Sequence, residues 1–486
     1  MLLAKANLHR GWATALPSPT QSVLPPLIVA SYSFCMSLSS PNWQALAEQT
    51  VRYLRDLIRL DTTNPPGNEI VAAEYIAGVL RAAGLDPIVI ETAPRRGNVI
   101  ARLTGDGSAP PLLLYSHTDV VPAEREHWTT DPFGAEVKDG FVYGRGALDM
   151  KGVVAMQLAV FLAIAGQDRQ ALRRDLIFAA TADEESDTNQ GIGVLVEKHP
   201  DLLRAEYALS EFGGHSMYVN GRCFYPIQTA EKGALWMRMV AHGRPGHASV
   251  PHAENAVVWL ARAVDRLASA RLGAHVTPTA RAFIGALADG LGGRAGAALR
   301  AWLDLEALRE APLLGDPTLA AELHAMTHNT VTPTGLRAGY KTNVIPSSAE
   351  AVLDCRLLPG YAPDALIADL RGALRDFPHL DFVVDSFGEG LEFPFDTPLF
   401  ALIARILKQH DPTGIPLPYM MTGSTDAKHV ARLGAICYGF SPLRFAPGER
   451  FFDLVHGHDE RVAIDSLAWG VRVLYEVVSA FLVNVA

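Results

Sequence analysis

The segment Leu112-Leu-Leu-Tyr-Ser-His117-Thr-Asp119 decides the fold, because an apolar run of strand length ends there in a histidine and an acid. Similar apolar runs occur nearby in the first half of the chain, at residues 87–90, 99–103 and 176–181. Helical patterns accompany these runs, at residues 43–57, 72–83 and 152–165. The alternation predicts a layered α/β domain whose functional side chains lie at strand ends.

A second pattern of elements begins after Glu231 and Lys232. Its order is strand, helix, strand, strand, helix and strand, at residues 234–241, 256–268, 335–339, 349–357, 363–374 and 381–385. The alanine- and leucine-rich segment 272–328 interrupts this pattern, and we interpret it as a helical elaboration of the lid that this unit would form. We therefore expect a small α+β unit inserted into the larger domain.

The α/β pattern returns from residue 392, with helices predicted at 398–410 and 462–482. The expected division is a first catalytic part at 37–230, an insert at 231–391 and a second catalytic part at 392–486. Residues 1–36 are rich in proline and serine, so we expect an unstructured extension there, or a true translation start at Met36.

Composition excludes several classes of function. The net charge of -10 and the lack of a basic run argue against a nucleic-acid partner. Four isolated cysteines, Cys35, Cys223, Cys355 and Cys437, suggest neither a disulfide framework nor a thiolate metal site, and favour the reducing cytoplasm. The apolar stretch 153–165 is too short to span a membrane, so no membrane partner is expected.

Four further places in the sequence present acids or a histidine at predicted turns. The motif Gly-Arg-Gly-Ala-Leu-Asp149-Met-Lys-Gly places one carboxylate before a helix, and Asp-Glu184-Glu185 places neighbouring acids after an apolar run. Glu211 follows another apolar run, and His456 precedes the last helix. Taken singly, a structural histidine, a helix N-cap or a solvated acidic loop explains each of them.

Together, however, these positions make a metal site the better hypothesis. Histidine nitrogens and carboxylate oxygens suit zinc, cobalt or manganese, and one carboxylate can bridge two ions. Three carboxylates and one hydroxide would balance the charge of two divalent cations. The ligand types do not distinguish among these metals.

This ordered series of motifs resembles the zinc-dependent family of aminoacylase, acetylornithine deacetylase, succinyl-diaminopimelate desuccinylase and the glutamate and yeast carboxypeptidases. The resemblance extends from about Trp43 to the C-terminus. It implies a three-layer α/β catalytic domain with an inserted ferredoxin-like lid and dimerisation domain. It also implies a hydrolase that cuts a peptide or N-acyl bond beside a free carboxylate, and a cis peptide bond after Asp149.

The resemblance also assigns roles to individual residues. Asp149 would bridge two zinc ions, with His117 and Glu211 on one ion and Glu185 and His456 on the other. Glu184 would be the general base, since a carboxylate there can take a proton from the attacking water. Asp119 would orient the ring of His117 from behind.

The same resemblance places substrate contacts in the insert and in one late loop. His247 would stabilise the oxyanion, and Asn343 and Arg356 would hold the substrate, Arg356 by its carboxylate. Gly423 and Ser424 would make further contacts, although Thr422-Gly-Ser-Thr-Asp departs from the family's Gly-Gly-Thr-Ser-Asp pattern. The expected partners are a small dipeptide or N-acyl amino acid and a second copy of the chain. The alternative is a catalytically silent relative that binds a ligand or acts as a scaffold.

Overall fold

The computed structural model describes residues 38–186, 189–303 and 317–484. The interpretation of residues 1–36, with Cys35 and Met36, lies outside the described residues. The helices are α1 (Trp43–Arg59), α2 (Ile70–Ala82), α3 (Lys151–Ala165), α4 (Ile192–Lys198), α5 (Pro200–Leu203), α6 (Ala256–Ala268), α7 (Pro278–Leu291), α8 (Gly293–Trp302), α9 (Pro317–Thr327), α10 (Pro363–Ala373), α11 (Pro398–His410), α12 (Ala427–Val430), α13 (Phe451–Leu454) and α14 (Ile464–Val483).

The strands form one large sheet and three smaller ones. They are β1 (Ile88–Ala93), β2 (Arg96–Leu103), β3 (Leu112–His117), β4 (Val137–Lys138), β5 (Phe141–Tyr143), β6 (Leu176–Thr181), β7 (Tyr207–Ser210), β8 (Met217–Val219), β9 (Arg222–Glu231), β10 (Gly233–His242), β11 (Gly246–His247), β12 (Thr330–Ala338), β13 (Val344–Ile345), β14 (Ser348–Leu357), β15 (Leu380–Phe387), β16 (Leu391–Glu392), β17 (Ile415–Met421), β18 (Ile436–Gly439) and β19 (Arg461–Ala463).

The large sheet is mixed, with strand order β1-β2-β6-β3-β7-β18-β9-β16 and with β8 and β17 also paired to β9. Strand β3 lies between β6 and β7 and runs parallel to both. Their carboxyl ends therefore meet at the same edge of the sheet, which is where such folds place their sites. The sequence prediction for this part of the chain is confirmed, with shifts of a few residues at the ends of elements.

Helices cover both faces of the large sheet and give the three layers that were expected. Helices α1, α2, α3, α11 and α14 contribute to the core on one face, and α4, α5 and α12 to the core on the other. Helix α3 is apolar and buried along most of its length, as expected for a helix enclosed by other elements. Helix α11 begins at Pro398, and the Thr397 hydroxyl caps it by accepting a hydrogen bond from the Phe400 amide.

The insert contains an antiparallel four-stranded sheet of order β12-β14-β10-β15. Helices α6 and α10 pack on one of its faces, around alternate apolar residues of β10 and β14. This arrangement has the predicted strand-helix-strand-strand-helix-strand order. The chain leaves the large sheet at the end of β9 and re-enters it at β16, which pairs antiparallel with β9.

The helical segment α7–α9 does not pack on the sheet of the insert, although our interpretation of it as part of the lid implied that it would. Its apolar side chains form a core with residues of β9 and β17 of the large sheet, including Phe224, Leu417 and Tyr419. The segment thus covers part of the large sheet, whereas the four-stranded sheet has a separate core with α6 and α10. Sequence order misled the interpretation here, because a segment inside an insert can fold back onto the parent domain.

The last helix also differs from the sequence interpretation. Residues 461–463 form strand β19, paired with β5, so α14 starts at Ile464 rather than at residue 462. Helix α14 also has the length and apolar character of a membrane span, which we had not recognised. Its most apolar window is 78% buried inside the protein, as in the core helix of a globular domain.

Candidate metal centre

The edge of the large sheet brings together the acids and the histidine predicted from strand ends. His117 is the last residue of β3, Glu184 and Glu185 follow β6, and Glu211 follows β7. His117 and Glu211 are buried, and the two neighbouring glutamates are partly buried. Parallel pairing of β3 with its two neighbours thus converts a pattern spread over about a hundred residues into one local group.

Asp149 lies between the two candidate histidine ligands. Its Oδ1 is 3.2 Å from His117 Nε2, and its Oδ2 is 3.2 Å from His456 Nε2. His117 Nε2 is also 3.4 Å from Glu211 Oε2, and His456 Nε2 is 3.2 Å from Glu185 Oε1. The five residues therefore divide into two halves that share Asp149, in the same division that the resemblance implied. The peptide bond between Asp149 and Met150 is cis, as was also implied.

The donor atoms of this group are arranged to bind divalent cations and do not satisfy one another by hydrogen bonds. His117 Nε2, Asp149 Oδ1 and Glu211 Oε2 are all buried, and none has a hydrogen-bond partner. Buried polar atoms without partners are costly unless a ligand or ion satisfies them. Within each of two sets, one ligand atom from every residue lies within 4.8 Å of the others. The first set is His117, Asp149 and Glu185, and the second is His117, Glu184 and Glu211. Imidazole nitrogen and carboxylate oxygen are the donors that zinc and similar metals accept.

Burial and crowding shift the protonation of this cluster. Burial raises the pKa of Glu211 to about 8, although the His117 ring opposes the shift. Burial and the charge of Glu211 raise the pKa of Glu184 well above its usual range. Hydrogen bonds to Asp149 and Glu185 raise the pKa of His456 to about 10. So many carboxylates in one buried site require positive charge beside them, which protons or metal cations can supply.

Asp119 connects the histidine to the acidic turn. His117 Nδ1 lies 3.0 Å from the Asp119 carbonyl oxygen and 3.3 Å from its carboxylate Oδ1. The same carboxylate accepts hydrogen bonds from the backbone amides of Glu184 and Glu185, at 3.2 and 3.0 Å. One buried carboxylate thus fixes the position of the ring and of both neighbouring glutamates, a second task that the sequence did not indicate.

Replacement Asp119→Asn should therefore weaken metal binding. An amide presents a donor NH₂ group to backbone donors, so it cannot hold both amides of the acidic turn. We expect the metal dissociation constant to rise about 10- to 100-fold, as is typical when a group supporting the ligands is lost. Titration against a chromophoric chelator measures this, and the exposed control Asp106→Asn should match the unmodified protein. Equal affinities for both variants would refute the role.

A buried polar network supports Asp119 from behind, and sequence reasoning did not identify it. Asn64 Nδ2 donates to Asp119 Oδ2 at 2.8 Å and to Asp183 Oδ1 at 3.0 Å. Arg96 donates to Asn64 Oδ1 at 2.8 Å and forms ion pairs with Asp183 and with Glu69. Asp183 directly precedes Glu184 in the acidic motif of the sequence, whereas Asn64 and Arg96 lie outside the motifs described above.

A second buried support holds the turn that carries Asp149. Glu460, which is fully buried, pairs with Arg145 at 2.8 Å and accepts the backbone amides of Gly146, Leu148 and Asp149 at 3.0, 2.7 and 3.1 Å. Arg145 also donates to the carbonyl oxygen of His456 at 3.3 Å. Arg145 lies in the glycine-rich motif before Asp149 and Glu460 lies four residues after His456, but their pairing across 315 positions could not be inferred from spacing.

The candidate substrate residues of the insert form their own local contacts. His247 and Asn343 adjoin the ladder of β11 and β13, where the Ala248 amide donates to the Asn343 carbonyl at 3.1 Å. The exposed His247 ring has its Nδ1 atom 2.7 Å from the Ser249 hydroxyl. Arg356 pairs with Asp354 at 2.7 Å. The structure thus brings His247 and Asn343 together and holds Arg356 on strand β14.

Gly423 and Ser424 lie in the turn after β17. The Ser424 hydroxyl is buried and has no hydrogen-bond partner, whereas the Thr425 hydroxyl donates to Glu231. Burial raises the pKa of the neighbouring Asp426 to about 6, with opposing effects from Lys428 and His117.

Comparison with known proteins gives consistent results for sequence and fold. The sequence model of Peptidase family M20/M25/M40 matches residues 113–480. Human aminoacylase-1 is 27% identical over 433 residues, covering 85% of this chain and 90% of its own. The mouse N-fatty-acyl-amino acid synthase/hydrolase PM20D1 is 28% identical, covering 76% and 74%. The M20 metallo-carboxypeptidase Sso-CP2 of Sulfolobus solfataricus has a TM-score of 0.65 at 19% identity, covering 90% and 100%.

Proposed function

This chain belongs to peptidase family M20/M25/M40, and from that premise we propose that its cluster holds two zinc ions and cleaves an amide bond beside a free carboxylate. The observation that carries the proposal is the position of Asp149, with one carboxylate oxygen near each histidine. Buried donor atoms without partners surround it. His117 and Glu211 would hold one ion, Glu185 and His456 the other, and Asp149 both; cobalt or manganese would suit the same donors.

The residues around the metal pair then have separate tasks. When bound, the metal pair would polarise the scissile carbonyl and make the attacking water more acidic. Glu184 would accept the proton of that water and donate a proton to the departing amine, as a general base and then a general acid. It adjoins the ligand Glu185 in the same turn, and that turn is held by Asp119. Asp119 would act as a positioning residue, through His117 and both glutamates.

The oxyanion and the substrate carboxylate require donors outside the cluster. We assign His247 of the insert to the oxyanion, since an exposed imidazole on a separate domain can approach when the cleft closes. Arg356 and Asn343 would grip the carboxylate, with Arg356 exchanging Asp354 for the substrate. The buried Ser424 hydroxyl, without a partner of its own, would donate a further hydrogen bond, and Gly423 would leave room beside it.

The substrate class is a small N-acyl amino acid or dipeptide. The names of human aminoacylase-1 and mouse PM20D1 favour N-acyl amino acids, whereas the name of Sso-CP2 favours peptides. Sequence identity is higher for the first two, so we place N-acyl amino acids first. We also place the protein in the cytoplasm, a location consistent with the free cysteines Cys223, Cys355 and Cys437.

The insert at 231–391 would also pair two copies of the chain. The open face of its four-stranded sheet exposes Trp236 and Val383, at 41% and 37%. Large exposed apolar side chains on one face are typical of protein interfaces. A homodimer through this domain is therefore part of the proposal, and light scattering of the purified protein would test it.

Removal and return of the metal tests the function directly. Dialysis against chelator should abolish cleavage of the best substrate in a panel of dipeptides and N-acetyl, N-succinyl and long-chain N-acyl amino acids. Added zinc, cobalt or manganese should restore it, because the side chains of the cluster need the metal ions to activate water and polarise the carbonyl. A protein that holds two equivalents of metal but cleaves no member of the panel would contradict the proposal. It would favour the ligand-binding alternative.

A further inference from the structure

Two histidines and a glutamate that the metal centre does not use meet where two loops face each other. His458 Nε2 lies 3.0 Å from Glu124 Oε2, and the His458 ring lies beside the His127 ring, with centroids 5.0 Å apart and planes 31° apart. Glu124 and His127 belong to the loop between β3 and β4, whereas His458 belongs to the turn between α13 and β19. We call these three residues the accessory group.

Contacts that do not involve these three side chains hold the two loops together. The Thr129 backbone amide donates a hydrogen bond to Asp459 Oδ1 at 2.7 Å. Arg145 donates to the carbonyl oxygens of Pro122 and His456, at 3.4 and 3.3 Å, so one guanidinium is bonded to both loops. A fixed scaffold therefore presents the accessory group, and metal ligands need such support from the residues around them.

The spacing of the accessory group agrees with that of ligands on one tetrahedral ion. Two imidazoles bound to zinc at about 2.0–2.1 Å have ring centroids about 5 Å apart, and a nitrogen and an oxygen ligand lie about 3.4 Å apart. The observed distances are 5.0 Å between the rings and 3.0 Å between His458 Nε2 and Glu124 Oε2. All three side chains are exposed, so small rotations can close the remaining difference.

The types of donor also favour a transition metal. Two imidazoles and one carboxylate are a common ligand set for zinc, and they leave the fourth position to water. Calcium and magnesium prefer oxygen ligands, so the pair of imidazoles disfavours them. An exposed ion pair between Glu124 and a charged His458 contributes about 1 kcal/mol or less, and it does not require a second imidazole at His127. A divalent cation uses all three side chains.

We propose that Glu124, His127 and His458 form an accessory site for zinc or a similar divalent cation, separate from the two-metal centre. The ion would join the loop after β3 to the turn that carries His456, two residues before His458, and would brace that turn. Its affinity is lower than that of the buried centre, because three exposed side chains lose rotamer freedom on binding. The accessory site goes beyond the proposed function and does not depend on it.

Equilibrium dialysis of the full-length protein against a series of zinc concentrations tests the accessory site. We expect two tight equivalents and one weaker equivalent in the wild-type protein. His127→Ala should abolish the weaker equivalent. Glu124→Gln should raise its dissociation constant at least about tenfold, since even the loss of a group behind a ligand has an effect of that size. Excess magnesium should not displace the weaker equivalent, because magnesium prefers oxygen ligands.

The control and the count of equivalents separate this site from the metal centre. His199→Ala removes an exposed imidazole between α4 and α5 and should keep all three equivalents. A wild-type protein without the weaker equivalent, or a His127→Ala variant that keeps it, would overturn the accessory site alone. Loss of a tight equivalent from His127→Ala, with the weaker one kept, would also overturn it. A wild-type protein that binds one equivalent, which His127→Ala abolishes, would support the accessory site and contradict the proposed two-metal centre.

Discussion

Glu184→Gln should reduce kcat by about 10²- to 10⁴-fold while the metal content stays at that of the unmodified protein. The change keeps the size of the side chain but removes the oxygen that can accept a proton from water. Glu184 makes none of the short contacts with His117 Nε2 and His456 Nε2, which come from Asp149, Glu211 and Glu185. The loss should therefore appear in turnover and not in metal binding.

Steady-state kinetics and metal analysis on the same preparation measure both quantities. Glu197→Gln is the matched control, because it makes the same change at an exposed residue of α4 that pairs only loosely with Arg432, at 3.5 Å. We expect its kcat to be unaltered. If Glu184→Gln lost metal in proportion to activity, Glu184 would be a metal ligand and not the base. The geometry would then favour a site formed by His117, Glu184 and Glu211, whose ligand atoms lie within 4.8 Å of one another.

The positions of the candidate ligands were predictable because they depend on local rules. A histidine or acid after an apolar run lies at a strand end, and parallel neighbours bring such ends together. This reasoning placed His117, Glu185 and Glu211 at one edge without knowledge of their distances. The two halves that share Asp149 came from family resemblance, and the distances agree with that division.

The supporting residues were not predictable, because their partners are distant in sequence. Arg96 binds Asn64 and Asp183, and Glu460 binds Arg145, through contacts that span from 32 to 315 positions. Packing of α7–α9 on the large sheet was missed for a related reason. An amphipathic helix shows which of its faces is buried, but not which of two nearby sheets covers it.

Glu460→Gln should lower both the stability of the protein and its affinity for metal. Glu460 is fully buried, and the change leaves the buried Arg145 guanidinium without its carboxylate. Loss of one partner of a buried ion pair typically costs about 3–5 kcal/mol in the free energy of unfolding. The new amide would also point an NH₂ group at backbone donors of Gly146, Leu148 or Asp149.

Denaturant titration of the metal-free variant measures the stability, and calorimetric titration with zinc measures the affinity. Glu124→Gln is the control, since Glu124 pairs with His458 at 3.0 Å in an exposed position, where loss of an ion pair costs about 1 kcal/mol or less. Because Arg145 also donates to the His456 carbonyl, loosening it should disturb both halves of the metal centre. A variant with lower stability but unchanged affinity for both metal equivalents would show that the Glu460 network supports the fold alone, and that the Asp149 turn keeps its geometry without it.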